Sequence, residues 1–151
     1  MAKNKLSAID KTAIDLFGKY YGRFNVWLFR KTGGKRGNTL MGAPVLLLTT
    51  IGNKSGQKRT APLLYLQEGQ RFFVVASKGG FPTDPAWYVN LKANPNVEVE
   101  LGADVKPMRA RTVSEDERAA IWPRLVAMYK PYQSYQDRTD RSIPVVALEQ
   151  P

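Results

Sequence analysis

Three features of this 151-residue chain predict a mainly β, α+β fold, built as a small antiparallel barrel with helices over its openings. Short apolar runs rich in Val, Leu and Thr recur with turn signals between them. Helical patterns interrupt these runs without regular βαβ alternation, which argues against a doubly wound parallel sheet. Finally, Val97-Glu98-Val99-Glu100-Leu101 alternates strictly, as a strand with one wet face does.

Taken in order, Ser7 with Asp10 predicts a helix start that runs toward Arg30. Ile9, Ala13, Leu16, Phe17, Tyr20, Phe24, Trp27 and Leu28 recur at spacings of three and four on one face, with Lys11, Lys19, Arg23 and Arg30 around it. Gly18 and Gly22 weaken that helix. Lys31 to Gly42 reads as a glycine-rich, basic connector, expected to be mobile. From Val45 the period changes to two. Val45–Thr50, Thr60–Leu66 and Arg71–Ser77 predict a meander, punctuated by Gly52/Gly56 and by Glu68-Gly69-Gln70. Asp84-Pro85 predicts a short helix to about Ala93, with Asp84 as N-cap and proline in the first turn, ended by Asn94-Pro95-Asn96. Val105–Val113 pairs with the alternating strand, placing Arg109 and Arg111 on the face of Glu98 and Glu100 as expected charge partners. Ser114-Glu115-Asp116-Glu117 is a capping box that opens a helix to about Tyr129. Lys130 to Arg141, with Pro131 in it, is expected as a loop or broken turn, and Ile143–Leu148 as the last strand.

Composition narrows the chemistry. Without cysteine or histidine the chain has no disulfide, no thiol nucleophile and no imidazole base, so no metal centre is expected and catalysis needs Tyr, Ser, Lys, a carboxylate or a cofactor. The net charge of +10 calls for an anionic partner. Cations near Met1 precede no uninterrupted apolar region, and no run approaches the roughly 20 apolar residues of a membrane span. A cytoplasmic location is expected, with peripheral attachment to the inner face of the membrane as a further expectation.

The glycine-hinged loop Gly52-Asn53-Lys54-Ser55-Gly56-Gln57-Lys58-Arg59 places three cations between two strands, and Lys78-Gly79-Gly80 ends the next. It is not a P-loop: Lys-Ser precedes the second glycine, only three residues separate Gly52 from Gly56, and Pro62 marks a strand instead of a helix. An anion site and a solvated hairpin tip are both open readings. Ser77 reads either as a pocket-rim hydroxyl or as a strand end bonding its own backbone. Trp87 and Tyr88 read as core aromatics, with Asn90 as a helix-interior amide wanted for hydrogen bonding. Tyr129, Tyr132 and Tyr135 read either as a pocket wall with polar handles or as an interior strip.

Together, Leu46-Leu47-Leu48-Thr49-Thr50, Gly52-x-Lys54-Ser55-Gly56-x-x-Arg59-x-x-Pro62-Leu63, Ala76-Ser77-Lys78-Gly79-Gly80 and Trp87-Tyr88-x-Asn90-Leu91-x-Ala93-Asn94-Pro95 closely resemble the deazaflavin-dependent nitroreductase family of actinobacteria. The late residues Trp122-Pro123, Met128-Tyr129, Tyr132, Tyr135-Gln136, Thr139-Asp140-Arg141 and Ile143-Pro144-Val145 extend the resemblance, which runs from about Phe24 to Leu148. It implies an FMN-binding-like split β-barrel over residues 43–151, behind an N-terminal amphipathic helix and flexible connector over residues 1–42. It also implies coenzyme F-420, an 8-hydroxy-5-deazaflavin with a phospholactyl-oligoglutamate tail. By the same resemblance Asn53, Lys54, Ser55, Gly56 and Arg59 would hold the acidic tail. Pro62, Leu63, Leu64, Val75, Ala76, Ser77 and Lys78 would run along the ring, with Ala86, Trp87 and Asn90 nearby. Tyr129, Tyr132 and Tyr135 would wall the acceptor pocket, with Tyr132 and Ser77 orienting the acceptor.

The implied activity is hydride transfer from the reduced deazaflavin to a menaquinone-like quinone or a nitroaromatic acceptor. Leu64 stands where the best-known nitroreductase of the family has a tyrosine, and Ala86 replaces a larger residue, so the pocket differs in shape. A non-catalytic carrier of deazaflavin, FMN or haem is the alternative. Nucleic-acid binding is disfavoured, because the cations are scattered without a recognised motif.

Overall fold

The computed structural model describes residues 22–151. The predicted helix start at Ser7 and the apolar positions Ile9 to Tyr20 lie outside the described residues. Residues 22–31 are helical (α1), so the predicted end near Arg30 holds. The buried face differs from the expected one. Asn25 and Phe29 point inward, whereas Phe24 and Trp27 are 58% and 54% exposed. Residues 32–38 form successive turns in which the Thr32 hydroxyl donates to Leu28 O and accepts from Arg36 N.

Among the described residues eight strands form one curled antiparallel sheet: β1 (Thr39–Leu40), β2 (Ala43–Ile51), β3 (Lys58–Leu64), β4 (Leu66–Glu68), β5 (Arg71–Val75), β6 (Asn96–Leu101), β7 (Asp104–Thr112) and β8 (Val145–Glu149). The order is β1-β2-β6-β7-β8-β5-β4, with β3 on the other edge of β2. The predicted run Thr60–Leu66 is two strands broken at Tyr65, and Arg71–Ser77 stops at Val75. Pro62 is tolerated because β3 pairs with β2 alone, which leaves its other edge without a ladder. The β4–β5 hairpin closes on Gly69-Gln70, where Gly69 supplies the positive φ (61°) that a two-residue turn needs.

The period of two builds two cores. Leu46, Leu48, Phe72, Val74, Val97, Val99, Val146 and Leu148 fill the inside of the curl with Tyr88 and Leu91 from α2 (Ala86–Ala93). On the opposite face, Val45, Phe73, Val75, Val145 and Ala147 pack under Ile121 and Leu125 of α3 (Glu115–Met128) and Tyr132 of α4 (Pro131–Arg138). Strands β5 and β8 are therefore buried on both sides, which is why they read as continuous apolar runs.

Three local expectations change. Asp84 does not cap α2; the N-cap is Pro85 in extended backbone, and the Asp84 carboxylate instead accepts from Arg141 at 3.0 Å. The tyrosine-rich segment is helical, because Pro131 sits in the first turn, where its missing N–H costs nothing. Arg109 and Arg111 do share a face with Glu98 and Glu100, but Pro107 and Val105 stand directly opposite those carboxylates. Glu98 pairs with Lys58 and Glu100 with Arg30, while Arg111 takes Glu117 and Glu149. The capping box forms as predicted, with Ser114 Oγ accepting from Glu117 N and Glu117 Oε1 accepting from Ser114 N.

Candidate active site

Residues 52–57 join β2 to β3, and their backbone closes on itself: Gly52 N donates to Gln57 O at 2.7 Å and Gly56 N to Gly52 O at 2.8 Å. Gly56 holds φ +69°, a conformation that glycine adopts at no steric cost. The tip is anchored to α2 by one amide. Asn90 Oδ1 accepts from Asn53 N at 3.0 Å, and Asn90 Nδ2 donates to Thr50 Oγ1 at 3.2 Å. Asn90 and Thr50 are both buried, so the helix-interior amide predicted to seek hydrogen bonds finds them in the β2–β3 connection.

Between this tip and α2 lies a groove of about 570 Å³, with Lys54, Ser55 and Arg59 on one side and Ala86, Trp87 and Val89 on the other. Lys58 is committed to Glu98 at 3.0 Å. Lys54 and Arg59 form no ion pair with any of the described residues. The loop therefore presents two uncommitted cations to the groove where the sequence shows three.

A second pocket, about 350 Å³, shares Trp87 with the groove. Pro62, Leu63 and Leu64 of β3 form one wall, Val75 and Ser77 to Gly79 another, and Tyr129, Tyr132 and Tyr135 the third. The Tyr132 ring is 4% exposed and meets Tyr129 edge to face at 4.9 Å. The Tyr129 and Tyr135 hydroxyls are 3.3 Å apart. Burial, helped by the Tyr135 hydroxyl, pushes the Tyr129 phenol up to about 12, and burial raises Tyr132 above the ordinary tyrosine value too. These phenols stay neutral at physiological pH, as hydrogen-bond donors and poor bases. Lys78 holds an unusual φ of 44° with its ammonium 5.2 Å from the Phe81 ring centre.

Most of the residues singled out in the sequence thus meet around two cavities that share Trp87. Two do not line them: Gly56 shapes the turn, and Ala76 is fully buried in the barrel. Asn25 and Leu40 line the second pocket and had no signal beyond a polar residue in a helix and a leucine in a connector. Thr60, in the groove wall, accepts from Arg30 at 3.2 Å and lies 2.7 Å from the Thr49 hydroxyl, which ties α1 to β3.

A curled antiparallel sheet with a cationic groove and an aromatic pocket that share Trp87 defines a split-barrel binder of an anionic, ring-bearing coenzyme. The chain belongs to the F420H(2)-dependent quinone reductase family, whose family model matches residues 20–150. A Mycobacterium tuberculosis protein named F420H(2)-dependent quinone reductase Rv1261c is 43% identical over 126 residues, 80% of this chain and 84% of its own. A second M. tuberculosis relative, Rv3178, is 45% identical over 105 residues, 70% of this chain and 88% of its own. The solved structure of an F420-H2 dependent reductase, FDR-A, is 48% identical with a TM-score of 0.65, over 70% of this chain and 94% of that one. The chain is therefore a deazaflavin-dependent oxidoreductase of the FMN-binding-like split-barrel class, and its cofactor is coenzyme F-420.

The donor set suits that coenzyme. A polyanionic tail needs cations that no carboxylate already neutralises, and among the described residues Lys54 and Arg59 are such cations at the groove. A planar ring needs a flat, largely apolar slot, which Pro62, Leu63, Val75 and Trp87 provide next to it.

Proposed function

We propose that this protein reduces a quinone at the tyrosine-walled pocket, with the coenzyme's acidic tail in the Lys54–Arg59 groove and its ring beneath Trp87. When bound, the reduced deazaflavin supplies the hydride, and the protein supplies position and charge. The observation that carries this reading is that Trp87 lines both cavities, with uncommitted cations around one and neutral phenols around the other. Lys54 and Arg59 hold the tail by charge-assisted contacts, and Asn90 keeps the tip that bears Lys54 against α2. Ser77 and the Tyr132 phenol face the acceptor, whose carbonyl oxygens gain electron density as hydride arrives. A neutral phenol donates a hydrogen bond to that oxygen and can release a proton to it. Leu64, smaller than a tyrosine, leaves the second pocket room for a quinone, with a nitroaromatic as a secondary acceptor.

The test has two parts. Titration with oxidised coenzyme F-420 and, in parallel, FMN should show tight binding of the first alone. Adding menadione to protein with the reduced coenzyme should then restore the oxidised absorbance. Binding without turnover would instead mark a carrier.

The N-terminal region supports a further proposal. Exposed Phe24 and Trp27 stand on the same short helix as Arg23 and Lys31, and Lys31 Nζ is 5.1 Å from the Trp27 ring. Among the described residues no helix is long and apolar enough to cross a membrane. We propose that this face rests on an anionic membrane surface, where a lipid-soluble quinone is delivered. Sedimentation with anionic vesicles should be lost on removing residues 1–30 and weakened by Trp27→Ala. Equal binding by all three forms would refute it.

A further inference from the structure

Arg141 follows α4, and its side chain is 17% exposed. Its guanidinium spends four hydrogen bonds on one segment. Nε donates to Phe81 O at 2.8 Å, Nη1 to Asp84 Oδ1 at 3.0 Å, and Nη2 to Ala76 O at 3.1 Å and Ser77 O at 3.0 Å. Three of these acceptors are backbone carbonyls that flank Lys78, whose φ of 44° is rare outside glycine. A rare backbone conformation persists only where its surroundings over-determine it, and here a rigid planar fork holds the chain before and after the residue. The Asp84 carboxylate neutralises the fork, and Lys92 lies 3.7 Å from the other Asp84 oxygen.

The far side of Arg141 belongs to α4. Its carbonyl accepts from Gln136 Nε2 at 2.8 Å, and Gln136 Oε1 in turn accepts from Ile143 N and Arg118 Nη2. One residue therefore joins the wall that carries Ser77 and Lys78 to the helix that carries Tyr132 and Tyr135. The two walls also touch directly: a Cβ on Gly80 would lie 2.7 Å from Tyr135 O.

We infer that Arg141 is a positioning residue for the reaction, setting the spacing of Ser77 and Lys78 from Tyr132 and Tyr135 across the pocket. This rests on the reading of that pocket as the quinone site. The groove cations that hold the tail belong to other elements, so coenzyme affinity should depend on Arg141 much less than acceptor turnover does.

The experiment compares wild type, Arg141→Gln, Arg141→Ala, Asp84→Asn and, as a remote control, Arg111→Gln. Rates with menadione are normalised to coenzyme-binding sites, so that misfolded protein does not count. For Arg141→Gln, kcat and kcat/KM should fall together by about 100-fold, the cost of roughly 1 Å of misplacement, while coenzyme Kd moves less than about threefold. Added guanidinium should restore part of the Arg141→Ala rate, and methylammonium at equal strength should not. Arg111→Gln should keep wild-type rates per site even where its thermal midpoint falls. If Arg141→Gln does not fold, Asp84→Asn decides, with an expected loss of about tenfold in kcat at unchanged coenzyme Kd. Wild-type turnover per site in Arg141→Gln, or in Asp84→Asn where that variant decides, would overturn the inference alone. A wild-type protein that binds coenzyme F-420 and reduces no quinone would overturn the functional reading, and the inference with it.

Discussion

Replacing Asn90 by alanine removes two hydrogen bonds with unequal consequences. Thr50 is fully buried and its hydroxyl is left without the amide it met at 3.2 Å, a desolvation cost of about 1–3 kcal/mol. Asn53 is exposed, so its N–H turns to water and forfeits only about 0.5–1.5 kcal/mol. Together these give roughly 2–4 kcal/mol, and at about 2–4 °C per kcal/mol for a domain of this size the thermal midpoint should fall by roughly 4–16 °C. The same change frees the tip that carries Lys54 from α2. If the tail contact depends on that tether, most of a charge-assisted bond of about 1.5–3 kcal/mol is lost, and coenzyme F-420 affinity should weaken about ten- to hundredfold. Differential scanning calorimetry and fluorescence titration check the two effects separately. A Thr50→Val, Asn90→Ala double mutant should cost less than the sum of the singles, because the two groups serve one bond. An Asn90→Ala protein that keeps its midpoint within about 1 °C and its coenzyme affinity unchanged would refute the tether.

Neutralising the groove cations is the next test. Lys54→Gln and Arg59→Gln should each weaken coenzyme binding about tenfold, exposure reducing the full charge-assisted value, and should flatten its dependence on salt. In Lys58→Gln, where the cation is already committed to Glu98, the effect should be smaller. A third prediction concerns acid. Arg111 holds the Glu117 carboxyl at about 2, below its ordinary 4.5, and Glu149 and Glu68 are lowered by their arginine partners. A depressed folded-state value means that stability is present above the ordinary carboxylate range and is lost as pH falls through the folded value. Wild type should therefore lose stability between about pH 5 and pH 2, and Glu117→Gln should lose less over that window when followed by chemical denaturation. Fourth, with Tyr129 at about 12 and Tyr132 raised as well, quinone turnover should show no tyrosine-dependent fall below about pH 10. An alkaline limb near pH 9 that disappears in Tyr132→Phe would contradict neutral, buried phenols.

Barrel strands were legible because their signals are local. The alternation of Val97 to Leu101, the capping box at Ser114 and the glycines at 52, 56 and 69 each act through neighbours in sequence, and all three stand in the structure. The misread elements turn on partners far along the chain. Asp84 has the residue type of an N-cap, but Arg141, 57 positions away, offers its carboxylate a charged, partly buried bond that outweighs a cap. Glu98 and Glu100 alternate correctly, yet their cations come from β3 and α1, because Pro107 and Val105 occupy the opposite register. The apolar face of α1 was misassigned for a related reason: Phe24 and Trp27 satisfy the helical period, but the barrel covers the side that bears Asn25 and Phe29.

The candidate site divides along the same line. Lys54, Ser55 and Arg59 sit together on one hairpin tip, and their spacing alone suggested an anion site. The pocket proposed for the acceptor is assembled from β3, the turn after β5 and α4, and nothing local says that Ser77 and Tyr132 line one cavity or that Trp87 touches both. The structure adds a reason for the difference. A groove for a flexible charged tail tolerates mobile side chains in water, so one loop is enough to make it. A pocket in which a ring and an acceptor must meet at reacting distance needs walls fixed against one another, which requires residues such as Asn90 and Arg141 that bond across elements distant in sequence.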